Sequence, residues 1–314
     1  MKYSTLLAFA DKSAGGIRTI EIANGAPALT PGCVVLPTVN YLIERDGIIY
    51  GTVREPACGV AAVKNGKVLK VESGKGEIAC HLAISPGGKF IYTANYGDGS
   101  VDEYAVKDGL PVWRRNWKLG PGARAHFAGF SPQGRLFIVD LGSDLVWFYE
   151  FDEAGGAGDL AYSVEFPKGA GPRHLIWLDD RTFATANELN DTVTVVKDRR
   201  IVQTLPASAG GVESYPGAIR LSPDGKFAAV SNRGENTIAI FRVDGDRLEL
   251  SGRYDCHGVW PRDCAFTPDG KFMYVALDRS ARVTTFAFDD GRLDFLSEFD
   301  DLPLPMCFLS EVTP

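Results

Sequence analysis

Residues 221–243 read LSPDGKFAAVSNRGENTIAIFRV, a strand end, a Ser-Pro-Asp-Gly turn, an apolar run, a polar loop and a second apolar run. Pro223 presets φ for a turn and Gly225 tolerates φ above zero, so the chain is expected to fold straight back on itself. The pattern recurs as ISPGGKFIYTANYGDGSVDEYAV from Ile84, FSPQGRLFIVDLGSDLVWFYEF from Phe130 and FTPDGKFMYVALDRSARVTTFAF from Phe266. Two looser copies are LIERDGIIYGTVREPACGVAAV from Leu42 and WLDDRTFATANELNDTVTVV from Trp177, the latter one residue short in its turn. Turn anchors at 47, 88, 134, 180, 225 and 270 are spaced by 41, 46, 46, 45 and 45 residues. A period near 45 with several short strands per unit is the signature of propeller blades.

No segment sustains the helical spacing of apolar residues, so the chain reads as all-β. Six blades are counted directly, and the ends supply a seventh. LPLPMCFLSEV, 302–312, begins like an inner strand, while 3–10, 16–22 and 28–36 provide three strands with no inner strand ahead of them. The expected architecture is a single propeller over 1–314 with four antiparallel strands per blade. Its seventh blade is formed by about 1–36 plus 302–314, so that no edge is left unpaired at the seam. The opening MKYSTLLAFADK superficially mimics a secretory signal, but its apolar run is short and it is read as a strand.

A length of 314 residues exceeds what one core usually fills, which suits a modular closed architecture. The formal net charge of −7, with no run of basic residues, argues against nucleic acid or an anionic membrane as partner. A small anionic substrate stays compatible, since arginines can cluster locally. Six cysteines without a Cys-x-x-Cys pair read as buried thiols in a reducing, cytoplasmic setting. No stretch of 18 apolar residues occurs.

Topology assigns side chains to the two ends of a blade. If the first strand runs down from one face, the Ser-Pro-Asp-Gly turn lies on the opposite face, and the loop after the second strand returns beside the first strand's start. Strand starts carry Asn40 and Tyr41, His81, His126, Arg173 and His174, Gly217, Arg262 and Asp263, and Cys307. The loops add Arg54 and Glu55, Asn95 and Tyr96, Asp140, Asn187 and Glu188, Asn232 and Arg233, Asp278 and Arg279. Three of the four histidines fall in this set. Asn40, Asn95, Asn232 and Asp140 are expected to cap backbone or hold water, and Arg54, Glu55 and Arg279 to be solvated charges. Arg173, His174 and Glu188 differ, because one short blade brings a fixed cation, an imidazole and a carboxylate to one end.

Zinc-hydrolase and serine-esterase motifs are absent from the sequence, and a calcium site would want more carboxylates than these positions offer. No metal or cofactor is expected. GAGPRHLIW with ANELNDTV, then SPDGKFAAVSNRGENTIAIFRVD, WPRDCAFTPDGKFMYVALD and PMCFL, resembles the seven-bladed propeller lactonases. That family includes bacterial 6-phosphogluconolactonase of the propeller type and, more distantly, carboxymuconate cyclase. The resemblance implies a metal-independent enzyme acting on lactones, with His126, Arg173, His174, Glu188, Arg233 and Arg262 as site residues. Ala218 stands where the family's pattern has an acidic residue.

Lactone opening needs a positioned water, a base and donors for an oxyanion. Glu188, assisted by His174 or His126, is expected to hold the water, Arg173 to stabilise the oxyanion, and Arg233 and Arg262 to bind a phosphate or carboxylate. Tyr41, His81, Asn187 and Asp263 are expected to contact the sugar-acid substrate. A lactonizing cycloisomerase, or a propeller that binds without turnover, would use the same residues.

Overall fold

A computed structural model of the chain describes residues 2–10, 15–23, 26–36, 38–54, 57–300 and 302–309. All its sheets are antiparallel, and among the described residues the one helical turn is the 3-10 segment Asp278–Ser280. Six sheets of four strands each, paired in chain order, form blade 1 (42–73), blade 2 (79–118), blade 3 (125–165), blade 4 (172–206), blade 5 (215–255) and blade 6 (261–299). Blade 7 is built from both ends of the chain. Pro305–Phe308 pairs with Lys2–Phe9, which continues to Gly16–Ala23 and Ala26–Leu29. The fold is thus the all-β, seven-bladed propeller that the period predicts, with the C-terminal strand joining the N-terminal blade.

The third strand of blade 7 is shorter than the sequence suggests. Pairing stops at Leu29, and Val34–Val35 returns to pair with Gly16 and Ile17 instead. Pro31 has no N–H to donate and Gly32 sits at φ 101°, so 28–36 cannot run as one ladder. Glu55 and 310–312, which the sequence reading placed on a loop and on the last strand, lie outside the described residues.

Packing density divides the chain into two compact units. One comprises Met1–Leu7, Arg18–Gly32 and Lys168–Phe308 and holds blades 4, 5 and 6. The other holds blades 1, 2 and 3, within Ala8–Ile17 and Cys33–Pro167.

The recurrent turn owes its shape to a third residue besides Pro and Gly. In blade 5 the Ser222 hydroxyl accepts the Phe227 N–H at 3.0 Å and donates to Asp224 at 2.6 Å, while Gly225 N–H reaches Ser222 O at 2.8 Å. Ser85, Ser131 and Thr267 pin their turns the same way, on Phe90, Arg135 and Phe272. Blade 4 replaces the device with Asp179, which accepts the Arg181 N–H at 2.6 Å.

Second strands are buried on both faces, which explains their uninterrupted small and apolar character. In Phe227–Arg233, Phe227 and Ala229 pack with Cys264, Met273 and Val275 of blade 6, whereas Ala228 and Val230 pack with Ala184 and Ala186 of blade 4. Alternate residues face alternate neighbours because successive side chains leave a strand on opposite sides.

Blades 2 and 3 are further joined by a buried carboxylate. Glu103, with no exposed surface, takes Arg114 at 3.1 Å, Arg115 at 2.9 Å, the Tyr92 hydroxyl at 2.9 Å and the blade 3 amide of Ala157 at 3.0 Å. Removing one member strands the others. Glu103→Ala is expected to cost about 3–5 kcal/mol in chemical denaturation, and a cost below about 1 kcal/mol would show that water replaces the carboxylate.

Candidate active site

Polar side chains gather at the heads of the first strands because the ladder is irregular there. In blade 4, Pro172 pairs with Asn187 and His174 with Ala186, so Arg173 is an extra residue in a β-bulge. Cys80, His126 and Arg262 occupy the same bulge in blades 2, 3 and 6, and blade 5 bulges over Gly217 and Ala218. A bulge re-aims a side chain out of the regular alternation. His126, Arg173 and Arg262 are therefore bulge residues, and His81, His174 and Asp263 each follow one.

Within the unit of blades 4 to 6 these heads converge on one carboxylate. Glu188 Oε2 lies 3.0 Å from Arg173 Nε and 2.7 Å from Arg233 Nη2 of the next blade. Both guanidiniums are buried, at 3% and 6% exposure, and both also donate to backbone carbonyls: Arg173 to Gly217 O at 2.8 Å, Arg233 to Tyr215 O at 3.0 Å and Pro216 O at 3.1 Å. Gly217 makes this crossing possible. A Cβ there would lie 2.8 Å from Ser231 Oγ and 3.1 Å from Arg233 Nε.

Burial pushes the Glu188 carboxyl up, but Arg233, Arg173 and, more distantly, Arg262 together outweigh it and hold it below the usual carboxylate range. Among the described residues nothing donates to Glu188 Oε1. Arg173 Nη1 lies 2.9 Å from His174 Nε2. Arginine only donates, so Nε2 accepts and His174 is a neutral imidazole with its proton on Nδ1.

Asp278 is the second carboxylate of the cluster and is pushed the other way. Burial raises its pKa against the pull of Arg262, Arg279, Arg233 and Arg173, because its nearest cation, Arg262 Nη1, stands off at 3.7 Å. Trp260 borders the same group. Its ring lies 3.3 Å from the Arg279 guanidinium carbon and 5.7 Å from that of Arg233. Asp278 lies on the loop where the topology placed it, whereas Trp260, directly before Pro-Arg-Asp at 261–263, is not among the residues assigned to strand heads or loops, and Arg279 is stacked rather than merely solvated.

Two residues expected at the substrate are committed elsewhere. Asn187, fully buried, accepts from Thr185 at 2.8 Å and donates to Thr192 at 2.9 Å and Thr194 at 2.8 Å. Asn95 and Asn232 make the equivalent ties, to Ser100 and to Thr237, each at 3.1 Å. Asp263 grips Arg220 through both oxygens, at 2.9 Å each, and accepts the Phe308 N–H of the C-terminal strand at 3.0 Å. Asn40 and Asp140 hold backbone, as expected.

The unit of blades 1 to 3 holds the other candidates. His81 is clamped between the rings of Tyr41 and Phe127, with centroids 3.8 Å away on each side, and its Nδ1 accepts the Ala128 N–H at 3.3 Å. His126 meets Tyr96 edge to face at 5.8 Å.

Seven blades of four strands, three of which bring arginines to carboxylates at their strand heads, define a seven-bladed propeller. The chain belongs to the family described as lactonase, 7-bladed beta-propeller, which it matches over residues 4–310. An uncharacterized protein of Staphylococcus aureus is 31% identical over 258 residues, 73% of this chain and 75% of its own. A candidate 6-phosphogluconolactonase from Bacteroides fragilis is 25% identical with a TM-score of 0.88, covering 98% of this chain and 97% of its own. A protein from Lactobacillus plantarum superposes with a TM-score of 0.91 at 25% identity, over 99% and 100% of the two chains. The periplasmic gluconolactonase of Pseudomonas aeruginosa, at 24% identity, TM-score 0.89 and full coverage of both chains, shares the fold.

If Asn187 is a structural rung, Asn187→Ala loses about 1–3 kcal/mol of stability, and Asn232→Ala a similar amount. An unchanged denaturation midpoint for Asn187→Ala would return that side chain to the substrate.

Proposed function

We propose that the protein hydrolyses a sugar-acid lactone carrying an anionic group, of the 6-phosphogluconolactone or aldonolactone type. The observation that carries this reading is the clamp of Arg173 and Arg233 on Glu188 Oε2. Membership of the lactonase family and the likeness to the Bacteroides protein support it.

The clamp keeps the carboxylate ionised and fixed, and Oε1 is the oxygen available to a water. That water attacks the lactone carbonyl carbon and a C–O bond forms. Its proton passes to Glu188, and the carbonyl electrons move onto oxygen. Collapse breaks the bond to the ring oxygen, which takes the proton back as the hydroxy acid leaves. His174 does not serve as base on this reading, because its one acceptor nitrogen is engaged by Arg173.

Arg173 is the positioning residue rather than the oxyanion donor, since its guanidinium is ion-paired with Glu188 and its Nη1 is shared between His174 Nε2 and Gly217 O. Arg262, with 22% of its side chain exposed and only a 3.7 Å contact to Asp278, supplies the N–H groups for the oxyanion.

Wild type is expected to open phosphorylated or carboxylated lactones well above the spontaneous rate in a pH-stat, with Glu188→Gln slower by about 100- to 10,000-fold. No acceleration over the uncatalysed control would end this reading. Because the Glu188 pKa is lowered, its base form persists down through ordinary carboxylate pH and is lost only as pH falls through the depressed value. The acid limb of kcat/KM should therefore lie below about pH 4.3, the ordinary Glu value. Arg173→Ala should move that limb upward, since burial then meets less opposition. A limb that stays in place would show that another group carries the proton.

A further inference from the structure

The cluster of blades 4 to 6 holds more cation than its carboxylates can use. Four guanidiniums, Arg173, Arg233, Arg262 and Arg279, bear on Asp278, and three of them, Arg173, Arg233 and Arg262, bear also on Glu188. Arg173 and Arg233 are committed to Glu188 and to backbone carbonyls. Arg279 is not: it is exposed, and among the described residues its guanidinium donates no hydrogen bond and instead lies over an indole at 3.3 Å. A stacked guanidinium keeps its N–H groups in the plane of the stack, free at the edge and held in one orientation.

The platform beneath it is built rigidly. Trp260 has a left-handed backbone, φ 69°, which a bulky residue seldom adopts, and the same conformation appears at Ile78, Gly171 and Leu304 just before the first strands of blades 2, 4 and 7. This backbone aims the side chain away from the strand. In blade 6 that side chain is an indole, and it bridges Arg279 to the Arg233 guanidinium and to Tyr215, whose ring lies 5.9 Å away. Two hydrogen bonds lock the turn bearing Arg279 to the segment bearing Trp260: Asp278 N–H to Trp260 O at 3.2 Å, and Val259 N–H to Ser280 Oγ at 2.7 Å. Asn236 Oδ1 accepts the Trp260 N–H at 2.8 Å.

We propose that Arg279, held flat by Trp260, is the specificity residue that binds the phosphate or carboxylate borne by the substrate away from its lactone carbonyl. The inference rests on the lactonase reading for the substrate's scaffold, but the subsite itself is an anion site and is tested separately. Buried Arg233 then serves Glu188 and not the substrate, which reverses the expectation from sequence. Trp260 acts through Arg279 by fixing its plane.

The test compares wild type, Arg279→Gln, Arg279→Lys and Trp260→Leu on three lactones: one phosphorylated, one bearing a second carboxylate, and neutral glucono-1,5-lactone. For whichever anionic lactone is the substrate, Arg279→Gln should raise KM about 10- to 100-fold with kcat little changed, and should leave the neutral lactone's KM alone. Arg279→Lys keeps the charge but loses the plane, and should fall between. Trp260→Leu should act like a weaker Arg279→Gln. Equal loss on neutral and anionic lactones, or no loss on any, overturns the proposal. Calorimetric titration with 6-phosphogluconate provides a readout that needs no turnover. If wild type opens no lactone yet binds this anion at least 10-fold more tightly than Arg279→Gln, the lactonase reading fails and the subsite stands. If the two bind alike, the subsite fails whatever the activity.

Discussion

Sheets packed face to face bury their middle strands on both sides, and that constraint decides where polar chemistry can sit. Along Phe227–Arg233 every residue is buried, and the side chains facing blades 4 and 6 are small or apolar until Asn232 and Arg233 at the end. A charged group in mid-strand is desolvated against the neighbouring sheet and persists only where buried partners pair it, as they do Glu103. Strand ends escape this. There the bulge at the first strand's head adds a residue that the ladder does not hold, and Arg173 and Arg262 use that freedom to turn toward the loop that follows the second strand. The same steric rule that makes the blades repeat therefore concentrates their exceptions at one kind of position.

Two carboxylates in that position show how finely distance decides protonation. Glu188 has guanidinium nitrogens at 2.7 and 3.0 Å, the nearer donating a hydrogen bond, and attraction wins over burial. Asp278 feels more cations, four arginines against three, but the nearest stands at 3.7 Å and burial wins. About an ångström of separation, not a difference in charge count, sends the two groups in opposite directions. Such a split is what a site needs if one group is to stay ionised beside cations that also face an anionic substrate.

The blade period was legible because each turn needs a residue tolerant of positive φ at a fixed place, and Gly88, Gly134, Gly225 and Gly270 all supply it, at φ of 73°, 80°, 74° and 68°. The pairing of Arg173 with Glu188 followed from the period, since strand heads and returning loops must meet. Other features are invisible in one-letter code. Asn187 reads as a polar residue beside Glu188, yet its neighbours Thr185, Thr192 and Thr194 consume it. Asp263 reads as a rim acid, but Arg220, forty-three positions away, takes both of its oxygens. Arg279 is the same letter whether it is solvated or stacked. Only the left-handed turn at Trp260, which periodicity does not report, tells the two apart.

The choice of arginine throughout the cluster follows from geometry more than from charge. Arg233 bonds the Glu188 carboxylate of blade 4 and two consecutive carbonyls of its own blade's first strand at once, through N–H groups fixed in one plane. An ammonium of equal charge could satisfy one or two of these and would be more costly to dehydrate at 6% exposure. The planar fork also explains why Gly217 stands in the blade 5 bulge, since any side chain there would press on Ser231 and on the guanidinium itself. The acidic surface of a chain with net charge −7 does not compete with this arrangement. Exposed charges are screened within about 8–10 Å at physiological salt, whereas the buried arginines act on their neighbours with little screening. On the proposed reading, a protein repulsive to anions at a distance is thereby attractive to one at contact, and selectivity falls to the N–H groups of Arg279 at the edge of the cluster.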